Sequence, residues 1–144
     1  MSSEALTAQD ALIAVMIAMS AADGRMTPSE FHEISGIVQV LPIFDGYDIE
    51  RISNVGALVS DLFREEEGLD ALLGLVVAAL PEGLHETAYA LACDVAAADL
   101  QVPMTERRML EELRDHFQLD RLASAAIERG ARARHQRLDP ASLP

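Results

Sequence analysis

A chain of 144 residues, half of them apolar, is long enough to bury a real core as one domain. Its formal net charge of −13 repels phosphate backbones and argues against nucleic acid as a partner. The longest apolar runs reach only about half of the roughly 20 residues that cross a bilayer, so the protein is not expected to span a membrane.

Trp is absent and aromatic residues make up 4% of the chain, so Ala, Leu, Ile, Val and Met must fill the core. That composition, with few alternating β-branched runs, favours an all-α fold. Every basic residue is Arg. Residues 1–100 hold 17 acids and 3 Arg, whereas residues 101–144 hold 7 acids and 8 Arg. The start Met1-Ser2-Ser3-Glu4 lacks the basic region of a secretory leader, so a cytoplasmic location is expected. Cys93 is the single cysteine. It permits no intramolecular disulfide and reads as a buried, inert thiol in an Ala-rich helix.

The first helix is expected from Thr7, as N-cap, to Ala22, with Asp10 in its first turn. From Ala11 to Met19 it is apolar nearly all round, the pattern of a helix surrounded by others. Gly24 supplies the turn. Thr27 as N-cap, Pro28 at the first helical position and Glu30 closing a capping box start the second helix, which puts Phe31, Ile34, Val38 and Leu41 on one face. His32 and Glu33 read as solvated. Pro42 ends the helix, and Phe44 and Tyr47 lie in the short connection that follows. Asp45 or Asp48 can cap a third helix with the stripe Ile52, Val55, Val59 and Leu62. The acidic run Glu65–Glu67 reads as an exposed turn.

A fourth helix begins near Leu69 and carries Leu72, Leu73, Val76, Val77 and Leu80. The fifth, about Glu82 to Asp99, is rich in alanine, and His85-Glu86 reads as its solvated start. Its Asp94 is the most anomalous carboxylate in the chain, because a buried carboxylate must be paired, hydrogen-bonded or protonated. The sixth, capped by Thr105, carries Met109, Leu110, Leu113 and Phe117. The seventh, about Asp120 to Gln136, has Leu122, Ala126 and Ile127 inside, with a basic end of Arg129, Arg132, Arg134 and Arg137. The core is expected over about 7–137, with a frayed tail over 138–144.

The first turn is echoed 76 residues later. Ala21-Ala22-Asp23 falls on Ala97-Ala98-Asp99, Glu30 on Glu106 and Ala14 on Ala90. This reads as a divergent, pseudo-twofold duplication of a helix-turn-helix. Asp23 and Asp99 stand at the carboxyl ends of their helices, where the macrodipole disfavours a negative charge by a few tenths to about 1 kcal/mol. Either turn N–H groups offset this, or a cation shared with the Glu seven residues on does so. In the second copy Leu100 replaces Gly24 and Pro103 replaces Thr27, yet Asp99 and Glu106 persist, which favours the cation. The candidate ligands are Asp23, Glu30, Asp94, Asp99 and Glu106, a hard oxygen set suited to Ca²⁺, Mg²⁺ or Mn²⁺. An EF-hand starting at Asp23 fails, with Arg25 at the third position, Pro28 at the sixth and Ile34 at the twelfth. No zinc-protease helix, phosphate-binding loop or nucleophile elbow is present, and the four His are scattered, so the chain reads as non-enzymatic.

With Ala21-Ala22-Asp23-Gly24 and Glu30, and residues 88–99 with Glu106, the chain resembles the tellurite-resistance TerB family over most of its length, although the second copy lacks the Gly. The resemblance implies an all-α fold of about seven helices in a compact bundle, cytoplasmic placement and a tellurite or metal-stress response. It implies divalent cations at Asp23, Glu30, Asp99 and Glu106, and a membrane-embedded TerC-like partner; another basic protein surface or a homodimer is compatible with it. The competing reading is an acidic protein-interaction module whose carboxylates only cap helices.

Overall fold

The structure, a computed structural model, describes residues 6–21, 27–97, 104–139 and 141. Among these residues there are seven α-helices and no strand: α1 (Ala8–Ser20), α2 (Pro28–Val40), α3 (Arg51–Phe63), α4 (Gly68–Ala79), α5 (His85–Ala97), α6 (Met104–Phe117) and α7 (Arg121–Arg134). Single 3₁₀ turns at Pro42–Phe44 and Glu82–Leu84 precede α3 and α5. The second of these takes up Glu82–Leu84, which the sequence pattern places in the fifth helix, so that α5 begins at His85. No described helix is long and apolar enough to cross a membrane.

The capping box expected at Thr27 is present, and the expected N-cap Thr7 forms a second one with Asp10. The Asp10 N–H donates to Thr7 Oγ1 at 3.0 Å and the Thr7 N–H to Asp10 Oδ2 at 3.3 Å. The Glu30 N–H donates to Thr27 Oγ1 at 3.2 Å and the Thr27 N–H to Glu30 Oε1 at 2.9 Å. Asp120 caps α7 through the Ala123 N–H at 2.7 Å. Two expected caps differ. Asp48 Oδ1 accepts the Glu50 N–H at 3.0 Å and so braces the turn before α3 instead of capping the helix. Thr105 lies inside α6, which already begins at Met104.

Every residue of α1 from Asp10 to Ser20 is buried, as its all-round apolarity predicts. It packs against α2, α3, α4 and α5, while α5 in turn packs against α6 and α7. The α1–α5 pair is therefore the spine, and the small alanines Ala88, Ala92 and Ala96 of α5, all buried, let its neighbours approach closely. Four expected core or surface positions are corrected, one of them Ala126 of α7, which is exposed and not inside. Phe31 is 39% exposed, because α2 presents Ile34 and Val38 to the core through one narrow stripe. Leu122 is 81% exposed, since α7 buries Ser124 and Ala131 instead. His85 is only partly exposed and stacks on Phe117 with ring centroids 4.9 Å apart, rather than standing in solvent.

The connection after α1 and α2 is held by a network with no signature in the sequence. Gln9 Nε2 donates to the carbonyls of Ile43 and Asp45. The Tyr47 hydroxyl donates to Asp10 Oδ1 at 2.9 Å, and both ends of the Arg51 guanidinium reach the same carboxylate. Burial pushes the Asp10 carboxyl up, but Arg51, Tyr47 and Thr7 together outweigh it and hold it below its ordinary value.

Candidate functional site

Two hollows open around the carboxyl ends of α5 and α7. The smaller, about 460 Å³, is bounded by Ser29, Glu30, Glu33 and Ile37 of α2, by Asp94 of α5, and by Arg134, His135 and Arg137. The larger, about 700 Å³, lies between α5, α6 and α7. His135 and Arg137 line both.

Of the five expected ligands, Asp23 and Asp99 lie outside the described residues. Glu30 and Asp94, 64 positions apart in the chain, are brought to the smaller hollow together with Glu33, which the sequence pattern places in solvent. Glu106 is 5% exposed in the first turn of α6, where the helix dipole favours its charge, but it lines neither hollow. Among the described residues no group of three His, Cys, Asp or Glu side chains is arranged to hold a metal ion. Glu30 and Asp94 are also engaged locally. One oxygen of Glu30 closes the α2 capping box. Asp94 Oδ1 accepts from Arg134 at 2.6 Å and stands 3.4 Å from His135 Nε2. The anomaly of Asp94 in the sequence thus has a partner, supplied by the basic end of α7. A cation in this hollow would draw on hard carboxylate oxygens from α2 and α5 and would have to displace Arg134 from Asp94.

The larger hollow contains residues that sequence reasoning did not single out. At its deep end the fully buried Tyr89 donates its hydroxyl to Glu128 Oε2 at 2.5 Å, and Arg114 Nη1 donates to the same oxygen at 3.0 Å. Burial and the Glu128 carboxylate both raise the Tyr89 phenol, which stays protonated and acts as a donor. Beside it Cys93 is 4% exposed, and burial pushes its thiol up to about 12, in line with the inert thiol expected from its Ala-rich setting. Only the Arg-rich composition of residues 101–144 hinted at this hollow; Tyr89, Arg114 and Glu128 sit on three helices with no shared spacing.

Compared with known proteins, the chain is matched over residues 9–129 by the family model described as tellurite resistance protein TerB. No curated protein and no solved structure matches it significantly.

Proposed function

The chain belongs to the TerB family, and from that premise we propose that the protein is a non-enzymatic, cytoplasmic helical module of the tellurite-resistance and metal-stress response that holds a divalent cation. The ion is Ca²⁺, Mg²⁺ or Mn²⁺, as the all-oxygen donor set requires. The observation that carries this reading is the convergence of Glu30 and Asp94 on one hollow. Glu30 follows Asp23 by seven residues and Asp94 precedes Asp99 by five, so the remaining candidate ligands lie close to them in the sequence. In this reading Asp23 and Asp99 complete the donor set begun by Glu30 and Asp94, and Glu106, which lines neither hollow, takes no part in it. The cation offsets the charge of Asp23 and Asp99, and the rest of the acidic face recruits a TerC-like membrane protein or another basic protein surface.

A second reading is favoured by the local partners of two of these carboxylates. Glu30 already caps α2 and Asp94 already pairs with Arg134. If the same holds at the turns, the acidic face itself is the functional surface and recruits a basic partner with no ion involved.

Thermal melts of EDTA-treated protein, titrated separately with Ca²⁺, Mg²⁺, Mn²⁺ and Zn²⁺, separate the two. Binding at about 100 times the dissociation constant adds roughly 2.7 kcal/mol, a rise in Tm of several degrees at this size. The cation reading expects a saturable rise with one of the hard ions and its loss in the Asp23→Asn/Asp99→Asn double variant. Flat melts, with the double variant equally destabilised in EDTA and in every ion, overturn it and leave the interaction module.

A further inference from the structure

We propose that the hollow between α5, α6 and α7 is a binding site for a small amphipathic anion: an apolar body ending in a carboxylate or phosphate, its head held between Arg107 and Arg132. At about 700 Å³ the hollow has the size of a small-molecule pocket, for which 300–1,000 Å³ is typical. It exists because α5 and α7 meet it with short side chains. Ala96 and Ala131 are each 2% exposed and form, with Leu110, an apolar floor that leaves room above it. The deep end is rigid, since the Tyr89–Glu128–Arg114 hydrogen bonds tie one helix to each of the others.

The charge of the lining points to the head group. The chain has 24 acids against 11 Arg, so nearby carboxylates are plentiful, yet four Arg and only two Glu line this hollow among the described residues. One of those two, Glu128, is already engaged by Arg114 and Tyr89. Arg107 from α6 and Arg132 from α7 have no ion-pair partner among the described residues. Two guanidinium forks lining one hollow suit a carboxylate or phosphate, which accepts paired N–H donors and is held more strongly than a neutral acceptor. The overall charge of −13 does not forbid an anion here. Its repulsion is screened over about 8 Å at physiological salt, whereas the two guanidinium groups are in contact with the head.

The test is calorimetric titration of the full chain with octanoate, octyl phosphate, 1-octanol and acetate, with the shifts of the Ala96 and Ala131 methyl groups followed by NMR. Saturable binding is expected for octanoate or octyl phosphate, the tighter of the two identifying the head. Binding should be at least tenfold weaker for 1-octanol, which lacks the charge, and for acetate, which lacks the body. The Arg107→Gln/Arg132→Gln variant alters two exposed side chains and should fold normally. It is expected to lose at least tenfold in affinity for the anion while 1-octanol binding is unchanged. An Arg121→Gln/Arg129→Gln control, on α7 but outside the lining, should bind as the parent does. Absence of saturable binding, equal affinity for octanoate and 1-octanol, or full affinity in the Arg107→Gln/Arg132→Gln variant would each overturn the proposal.

Discussion

Asp10 shows how much a single carboxylate can connect. In the sequence it is a first-turn acid; in the fold it completes a capping box with Thr7 and also receives Tyr47 and Arg51 from a loop and helix about 40 residues on. Its side chain is 3% exposed, and a buried carboxylate that keeps its charge must be supplied with donors. Asp10→Asn removes the charge and at least one charge-assisted hydrogen bond, and is expected to cost about 2 kcal/mol at pH 7 by thermal or urea unfolding. The pH dependence follows from the lowered folded-state value of Asp10. The stabilisation is fully present above the ordinary carboxyl value of 3.8 and is lost as pH falls through the folded value. The gap in Tm between the parent and Asp10→Asn should hold from pH 7 to pH 5 and narrow below pH 4; a gap that is constant to pH 3 would contradict this ion-pair account. At Tyr89 the outcome is similar in kind. Its hydroxyl needs an acceptor because the ring is fully buried, and Glu128, 39 residues on, provides it.

At the scale of elements, the helices with a decisive pattern behaved as their periodicity demands. α1 is buried on every side because it offers no polar face, and the capping residues Thr7, Thr27 and Asp120 mark true helix starts. Where the apolar stripe was broader than the partner surface, pattern alone misassigned residues, as at Phe31 and Leu122. The α3–α4 connection makes a demand that periodicity does not reveal. A Cβ on Gly68 would stand 1.8 Å from the Leu62 carbonyl oxygen, a backbone atom that cannot swing away, whereas a Cβ on Gly74 within α4 meets nothing within 4 Å. Gly68→Ala is therefore expected to destabilise by about 2 kcal/mol through overpacking, while Gly74→Ala should stabilise by about 0.5–1 kcal/mol through helix propensity. Paired urea titrations check this, and equal effects from both would show that the close approach at Leu62 relaxes.

For the molecule as a whole, acidity dominates. A formal charge of −13 favours solubility but destabilises the compact state by self-repulsion, and the few described ion pairs offset little of it. Raising salt from 0.01 M to 0.15 M shortens the screening length from about 30 Å to about 8 Å and should raise Tm by about 2–5 °C. A Tm that falls instead would mean that the Asp10–Arg51 and Asp94–Arg134 pairs outweigh the net repulsion. The basic residues at the end of the chain also matter only at this scale. Arg134 returns to Asp94, and Arg107 and Arg132 line a hollow that exists only because three helices bound it.

The sequence by itself determined the all-helical class, the extent of most helices, the caps of α1, α2 and α7, the central place of α1 and the inert character of Cys93. Each of these follows from local spacing: apolar period, N-cap chemistry, and an Ala-rich helix with no base beside the thiol. The resemblance carried by the Asp-Gly turn and its echo pointed to the family that matches residues 9–129. Tertiary structure alone decided which distant side chains meet. It joined Asp10 to Arg51, Tyr89 to Glu128 and Asp94 to Arg134, set Glu30 and Asp94 on one hollow, and left Arg107 and Arg132 facing another. Those pairings depend on how helices cross, and a helix's own residues record the face it buries but not the residue that waits on the other side.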